Sequence, residues 1–153
     1  MITIQNVKYM SDFEAKKAII DIGKRMYMKG FVAANDGNIS CKVGPNALWT
    51  TPTGVSKGFM TVDMLVKTDL NGKVLMGNRK PSSELKMHLR VYNENPEVMA
   101  VTHAHPMVAT SFAIAGISLL CPERRQIWRL DFWNVPVTEQ LYMRWIRHAK
   151  RRI

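Results

Sequence analysis

The segment Thr102-His103-Ala104-His105-Pro106 ends an apolar stretch, and Pro81-Ser82-Ser83-Glu84 opens a helical one just upstream. On a strand, two histidines one residue apart point the same way, because side chains alternate with period two. His103 and His105 could then share one borderline divalent metal such as zinc. Catalytic zinc normally takes three protein ligands and keeps one position open. The same spacing also arises when each histidine serves only a structural role. Glu84 has two readings of its own. In the first turn of a helix it complements the macrodipole, and beside a metal it could act as a general base. His88 follows Glu84 by four residues, the spacing of an ordinary helix-surface pair.

Three small polar turns surround these groups in the sequence: Gly37-Asn38, Thr53-Gly54 and Ser82-Ser83. Each can offer backbone N–H groups with a short hydroxyl or amide. Ser82 and Ser83 also precede a helix, whose N-terminus favours a phosphate. Taken singly, each turn is better explained as chain punctuation or a helix cap. Only their convergence would make an anion site.

The elements that must position these residues are legible from pattern. Ser11-Asp12-Phe13-Glu14 is a capping box. Behind it Ala15, Ala18, Ile19, Ile22 and Met26 recur at helical spacing, so a helix is predicted over 12–29 with Gly30 as its C-terminal stop. Short strands are predicted at 39–43 and 47–51, with Thr51-Pro52-Thr53-Gly54 as a tight loop. A hairpin is predicted from 64–68 and 73–76 around Asp69-Leu70-Asn71-Gly72. Residues 83–93 should be helical, 98–103 a strand, and 107–115 a small apolar helix ending at Gly116. Irregular alternation with at least one hairpin favours a mixed sheet covered by helices over a doubly wound parallel one.

The 153 residues suit one domain with a sizeable core, and 46% hydrophobic with 22% charged residues is ordinary for a soluble globular protein. No apolar run approaches the roughly 20 residues of a membrane span, and no signal peptide is visible at the N-terminus. Cys41 and Cys121 match no metal or redox spacing, which fits a reduced, cytoplasmic protein.

The net charge of +10 would by itself suggest an anionic partner. Its distribution argues against nucleic acid. Residues 1–118 hold 14 Lys and Arg against 9 Asp and Glu, whereas the much shorter 119–153 holds 8 against 3. Usage also changes from lysine to arginine at that point. Residues 119–153 therefore read as a basic tail of different origin, a frame shift, fusion scar or extension. Within it a helix starting at Pro136 would place Val137, Leu141, Trp145 and Ala149 on one stripe.

Asp36-Gly37-Asn38-Ile39-Ser40, Thr51-Pro52-Thr53-Gly54, Pro81-Ser82-Ser83-Glu84 and His103-Ala104-His105-Pro106, in that order, resemble the class II aldolase/adducin family. The likeness is greatest to its L-fuculose-phosphate aldolase-like members and covers about residues 8–118. It implies an α/β fold, a three-layer α/β/α arrangement with a largely antiparallel central sheet, here C-terminally incomplete. It implies a homotetrameric assembly and zinc held by His103 and His105. It further implies a phosphorylated ketose gripped by Asn38, Thr53, Gly54, Ser82 and Ser83, with Glu84 as the catalytic carboxylate. Related pentulose-phosphate 4-epimerases usually carry Asp at that position, so Glu84 favours the aldolase branch, and dehydratase-type relatives share the frame. The family's third zinc histidine has no match after Ser118, and His148 lies in an unlike, basic context.

The expected activity is metal-dependent retro-aldol cleavage of a small sugar phosphate, with the domain at 1–118, the tail at 119–153, and no nucleic-acid or membrane partner. The rival from another class is a non-catalytic adducin-like binding module. Such a module needs neither Glu84 nor the two histidines.

Overall fold

The computed structural model describes residues 8–116. Cys121, His148, the helix expected from Pro136 and the basic tail at 119–153 lie outside the described residues. Residues 8–104 belong to one compact unit and residues 105–116 to a second.

In the first unit, helix α1 (Asp12–Met28) begins at the expected capping box. The Ser11 N–H donates to Glu14 Oε2 at 2.9 Å, and Ser11 Oγ accepts from the Glu14 N–H at 3.3 Å. Removing such a cap costs about 1 kcal/mol. Past Met28 the chain turns through Gly30 at φ 67°. Strands β1 (Asn38–Gly44), β2 (Ala47–Thr50), β3 (Val66–Thr68) and β4 (Val74–Met76) follow, with a short 3-10 turn at Val62–Met64. The hairpin joining β3 and β4 forms where Asp69-Leu70-Asn71-Gly72 predicts it. Asp69 Oδ1 accepts from the N–H groups of Asn71 and Lys73, and Gly72 takes φ 85°. Helix α2 (Leu85–Glu94) and strand β5 (Ala100–His103) complete the unit.

The five strands form one sheet in the order β4-β3-β2-β1-β5, every neighbouring pair antiparallel. Alternation along β1 and β2 divides the core between its two faces. Ile39, Cys41 and Trp49 pack with Ala15, Ile19 and Met26 of α1, while Leu48 packs with Leu85, Leu89 and Tyr92 of α2. The result is helix, sheet, helix: a three-layer α/β/α unit with an antiparallel sheet, as the sequence implies. The second unit contributes helix α3 (Met107–Ile114), followed by Gly116 at φ 69°. No described helix is long and apolar enough to cross a membrane.

One local expectation changes. The last rung of the β1–β5 ladder pairs Asn38 with His103, and β5 ends there. Gly37, at φ 70°, turns the chain immediately before β1, so no partner strand continues past Asn38. Pro106 also biases the preceding residue away from the helical region. His103 therefore closes the strand and His105 lies beyond it. Period-two alternation does not extend to His105.

Gly37 is required there for two independent reasons. Its φ is left-handed, and a Cβ would stand 2.6 Å from Val32 Cγ1 and 2.9 Å from the His103 carbonyl oxygen. Gly37→Ala should lower unfolding stability by about 2–3 kcal/mol through backbone strain and the clash together. A urea titration comparing the midpoints checks this, and an unchanged midpoint would show that the turn relaxes freely.

Candidate active site

Asn38 and Ser40 alternate on β1 and face α2, where His88 and Tyr92 follow the N-cap residue Glu84 at intervals of four. The two stripes interlock. Asn38 Nδ2 donates to Glu84 Oε2 and, at 3.1 Å, to Ser82 Oγ. His103 enters from the paired strand, directly opposite Asn38, and its Nδ1 lies 3.1 Å from Glu84 Oε2. Asn38 is buried, whereas Ser82, Glu84 and His103 are half-buried. A polar edge of the first unit thus gathers an amide, a hydroxyl, a carboxylate and an imidazole.

The other two turns reach the same edge through the backbone. The Thr53 N–H donates to the Lys80 carbonyl at 3.0 Å, and the Ser82 N–H donates to the Thr51 carbonyl at 3.1 Å. Pro52 and Pro81 form a bridge between these bonds. The loop carrying Thr53 and Gly54 is therefore stitched beside the turn carrying Ser82 and Ser83. Because those two N–H groups are consumed by the stitching, Thr53 and Ser82 can present only their side chains to a ligand. Gly54 has φ 70° with open space where a Cβ would project, and Thr53, Gly54 and Ser83 are all exposed.

Lys57, which sequence reasoning missed, braces this arrangement. It is fully buried, and its Nζ donates to the carbonyls of Asn35 at 3.0 Å and Val55 at 2.6 Å. It ties the turn before Asn38 to the loop after Gly54. Burial pulls its ammonium below the usual lysine range, opposed by the negative charges of Asp36 and Glu84. No spacing in the sequence marks it.

His88 was missed in a different way. It is fully buried, not part of a surface pair with Glu84. Its Nε2 meets Asn38 Oδ1, and its Nδ1 lies 2.6 Å from Ser40 Oγ, which lies 2.7 Å from the Tyr92 hydroxyl. Burial, with a smaller contribution from His103, lowers the His88 pKa from 6.5 to about 3. The recurrence Glu84–His88–Tyr92, set against Asn38–Ser40, was the signal that could have found it.

This depression has a stability consequence of definite sign. The unfolded chain binds a proton near pH 6.5 while the folded His88 stays neutral, so stability falls as pH drops from about 6.5 toward 3. The slope approaches about 1.4 kcal/mol per pH unit within that window. His88→Gln should remove this component. Urea midpoints at pH 7, 5 and 4 should decline more steeply for the native chain, and parallel declines would contradict the assignment.

Within the first unit Glu84 and His103 offer a carboxylate and an imidazole, two groups that could hold a metal ion. This nitrogen and oxygen donor set fits a borderline divalent metal.

The sequence family described as Class II Aldolase and Adducin N-terminal domain matches residues 17–144. An L-fuculose phosphate aldolase of Methanococcus maripaludis is 37% identical over 110 residues, 71% of this chain and 59% of that protein. A 3-oxo-tetronate 4-phosphate decarboxylase of Haemophilus influenzae is 35% identical over 104 residues, 68% of this chain and 49% of that protein. Among solved structures, an L-fuculose 1-phosphate aldolase superposes with a TM-score of 0.67 at 28% identity. That match covers 77% of this chain and 56% of the other. The chain spans about half to three-fifths of the length of the curated relatives it matches.

Proposed function

The chain belongs to the class II aldolase and adducin N-terminal domain family, and we propose that it carries the sugar-phosphate site of a zinc-dependent aldolase. The observation that carries this reading is the joining of Asn38, Ser82, Glu84 and His103 at one edge of the sheet. An adducin-like binding module has no need of that carboxylate and imidazole.

In this reading the phosphate of a ketose phosphate sits against Asn38, Thr53, Gly54, Ser82 and Ser83. The hydroxyls of Thr53 and Ser83 and the N–H groups of Gly54 and Ser83 supply its donors, supported by the start of α2. His103 and His105 hold zinc, which when bound supplies Lewis acidity toward the substrate carbonyl. Glu84 shuttles the proton: it takes up the one released by the hydroxyl that becomes the aldehyde, delivers it to the carbon left behind when the carbon–carbon bond breaks, and does the reverse in the synthetic direction. Asn38 holds the Glu84 carboxylate in place through its amide. Fixing substrate at the phosphate end lowers the entropy cost of bringing that carbon to Glu84.

The decarboxylase relative favours a second reading on the same residues. Loss of carbon dioxide from a 3-oxo acid phosphate likewise leaves an electron pair beside a carbonyl, which Glu84 could protonate. Aldehyde release from L-fuculose 1-phosphate supports the first reading, and carbon dioxide release from a 3-oxo-tetronate phosphate the second.

The anion site has its own test. Inorganic phosphate at about ten times its Kd should stabilise the folded chain by roughly 1.4 kcal/mol, a melting shift of several degrees. Thr53→Val combined with Ser83→Ala should abolish the shift. An undiminished shift in the double variant would remove these hydroxyls from the site.

A further inference from the structure

Hydrogen bonds link Tyr92, Ser40, His88, Asn38 and Glu84 in one line, from which Asn38 also reaches Ser82 and Glu84 also meets His103. The donor and acceptor inventory allows that line a single direction. Asn38 turns its NH2 toward Glu84 and Ser82 and leaves its carbonyl oxygen for His88. A carbonyl only accepts, so His88 carries its hydrogen on Nε2. In the neutral ring the lone pair is then on Nδ1, which receives the Ser40 O–H. Ser40 in turn accepts from the Tyr92 hydroxyl. Tyr92, Ser40, His88 and Asn38 are each at most 1% exposed. Any reversal would oppose two acceptors or two donors away from water, which is costly.

We propose that His88 is a positioning residue: held as its Nε2–H tautomer by Ser40 and Tyr92, it fixes the Asn38 amide with its NH2 toward Glu84 and Ser82. Without that donor an isolated amide can rotate by half a turn and present its carbonyl to the carboxylate or to a bound anion. The sheet and helix stripes supply the geometry, since β1 fixes Asn38 and Ser40 two residues apart while α2 fixes His88 and Tyr92 four apart. The depressed pKa of the ring agrees with a neutral imidazole over the working pH range. The tautomer and amide orientation stand on the hydrogen bonds alone, while their importance for phosphate binding rests on the function proposed above.

Two measurements separate those claims. Long-range nitrogen–proton NMR of the unsubstituted chain, labelled with ¹⁵N-histidine, should show His88 as the Nε2–H tautomer at pH 7. An Nδ1–H tautomer or a rotating mixture would overturn the proposal whatever the protein binds. Tyr92→Phe and Ser40→Ala should each introduce the Nδ1–H form, and an unchanged tautomer in both would overturn the role given to them.

The second measurement uses inorganic phosphate and the thermal shift. His88→Leu fills the space without a donor and should weaken phosphate binding about tenfold. His88→Gln, whose amide can donate to Asn38, should restore most of that loss, which a purely packing role would not predict. Equal weakening by Leu and Gln in folded variants would reduce His88 to a core residue. If His88→Leu does not fold, the tautomer readout and the Gln variant still decide the matter. No phosphate shift in the unsubstituted chain together with the expected tautomer would overturn the functional premise and leave the positioning geometry standing.

Discussion

Under the proposed function, Glu84→Gln should lower the rate of ketose-phosphate cleavage by about 10²–10⁴-fold, the contribution expected of a positioned general base. At about 1.36 kcal/mol per decade this is roughly 3–5 kcal/mol of lost transition-state stabilisation. The substitution is nearly isosteric, and its amide oxygen can still accept from Asn38 Nδ2, so the local geometry is conserved. What disappears is the capacity to take and return a proton beside His103. Steady-state kinetics with zinc supplied, together with a melting curve, check both halves. A fall in melting temperature that accounts for the lost activity, or a rate reduced less than about tenfold, would leave Glu84 as a helix-terminus charge.

Under the same proposal, replacing His103 and His105 by alanine should abolish zinc binding. Loss of an outer-shell partner alone typically costs about 10–100-fold in metal affinity, and removing two imidazole ligands costs more. His103 is the more informative single change, because its Nδ1 also faces Glu84 at 3.1 Å. The double variant should therefore lose zinc while retaining the phosphate-dependent melting shift, whose donors come from other residues. Metal analysis after dialysis reads the first, and thermal denaturation with inorganic phosphate reads the second. One zinc per chain retained by the double variant would place the metal elsewhere.

The parts of this structure legible in the sequence are those fixed by neighbours in the chain. The Ser11–Glu14 capping box needs only three residues to identify, and it starts α1 as expected. Asp69 and Gly72 likewise specify their hairpin, because side-chain acceptance and left-handed backbone are local properties. Three of the four motifs supply Asn38, Ser82, Glu84 and His103, whose joining depends on contacts between distant segments. Those contacts include the pairing of Asn38 with His103 across the sheet and the stitching of Thr53 to Lys80.

The misses have the same origin. His88 reads as a surface partner of Glu84 only while α2 is considered alone. Once β1 lies against it, the same helix face is the inner one, and Ser40 and Tyr92 gain a polar role that no hydrophobic pattern marks. Lys57 is buried because two loops close over it, an outcome with no periodic signature. His105 falls outside β5 because the partner strand begins at Asn38, a boundary set by Gly37 on a different segment.

The central claim, that Glu84 moves a proton at a carbon held by the phosphate turns, is tested most directly by solvent exchange. The substrate is the three-carbon hydroxyketone phosphate that retro-aldol cleavage would leave, incubated in D₂O with zinc supplied. Proton NMR should show one carbon-bound hydrogen replaced by deuterium with the native chain, and replacement no faster than buffer with Glu84→Gln. Native chain that binds both zinc and this phosphate yet exchanges no hydrogen above the buffer rate, or Glu84→Gln that exchanges as fast as native, would contradict the account.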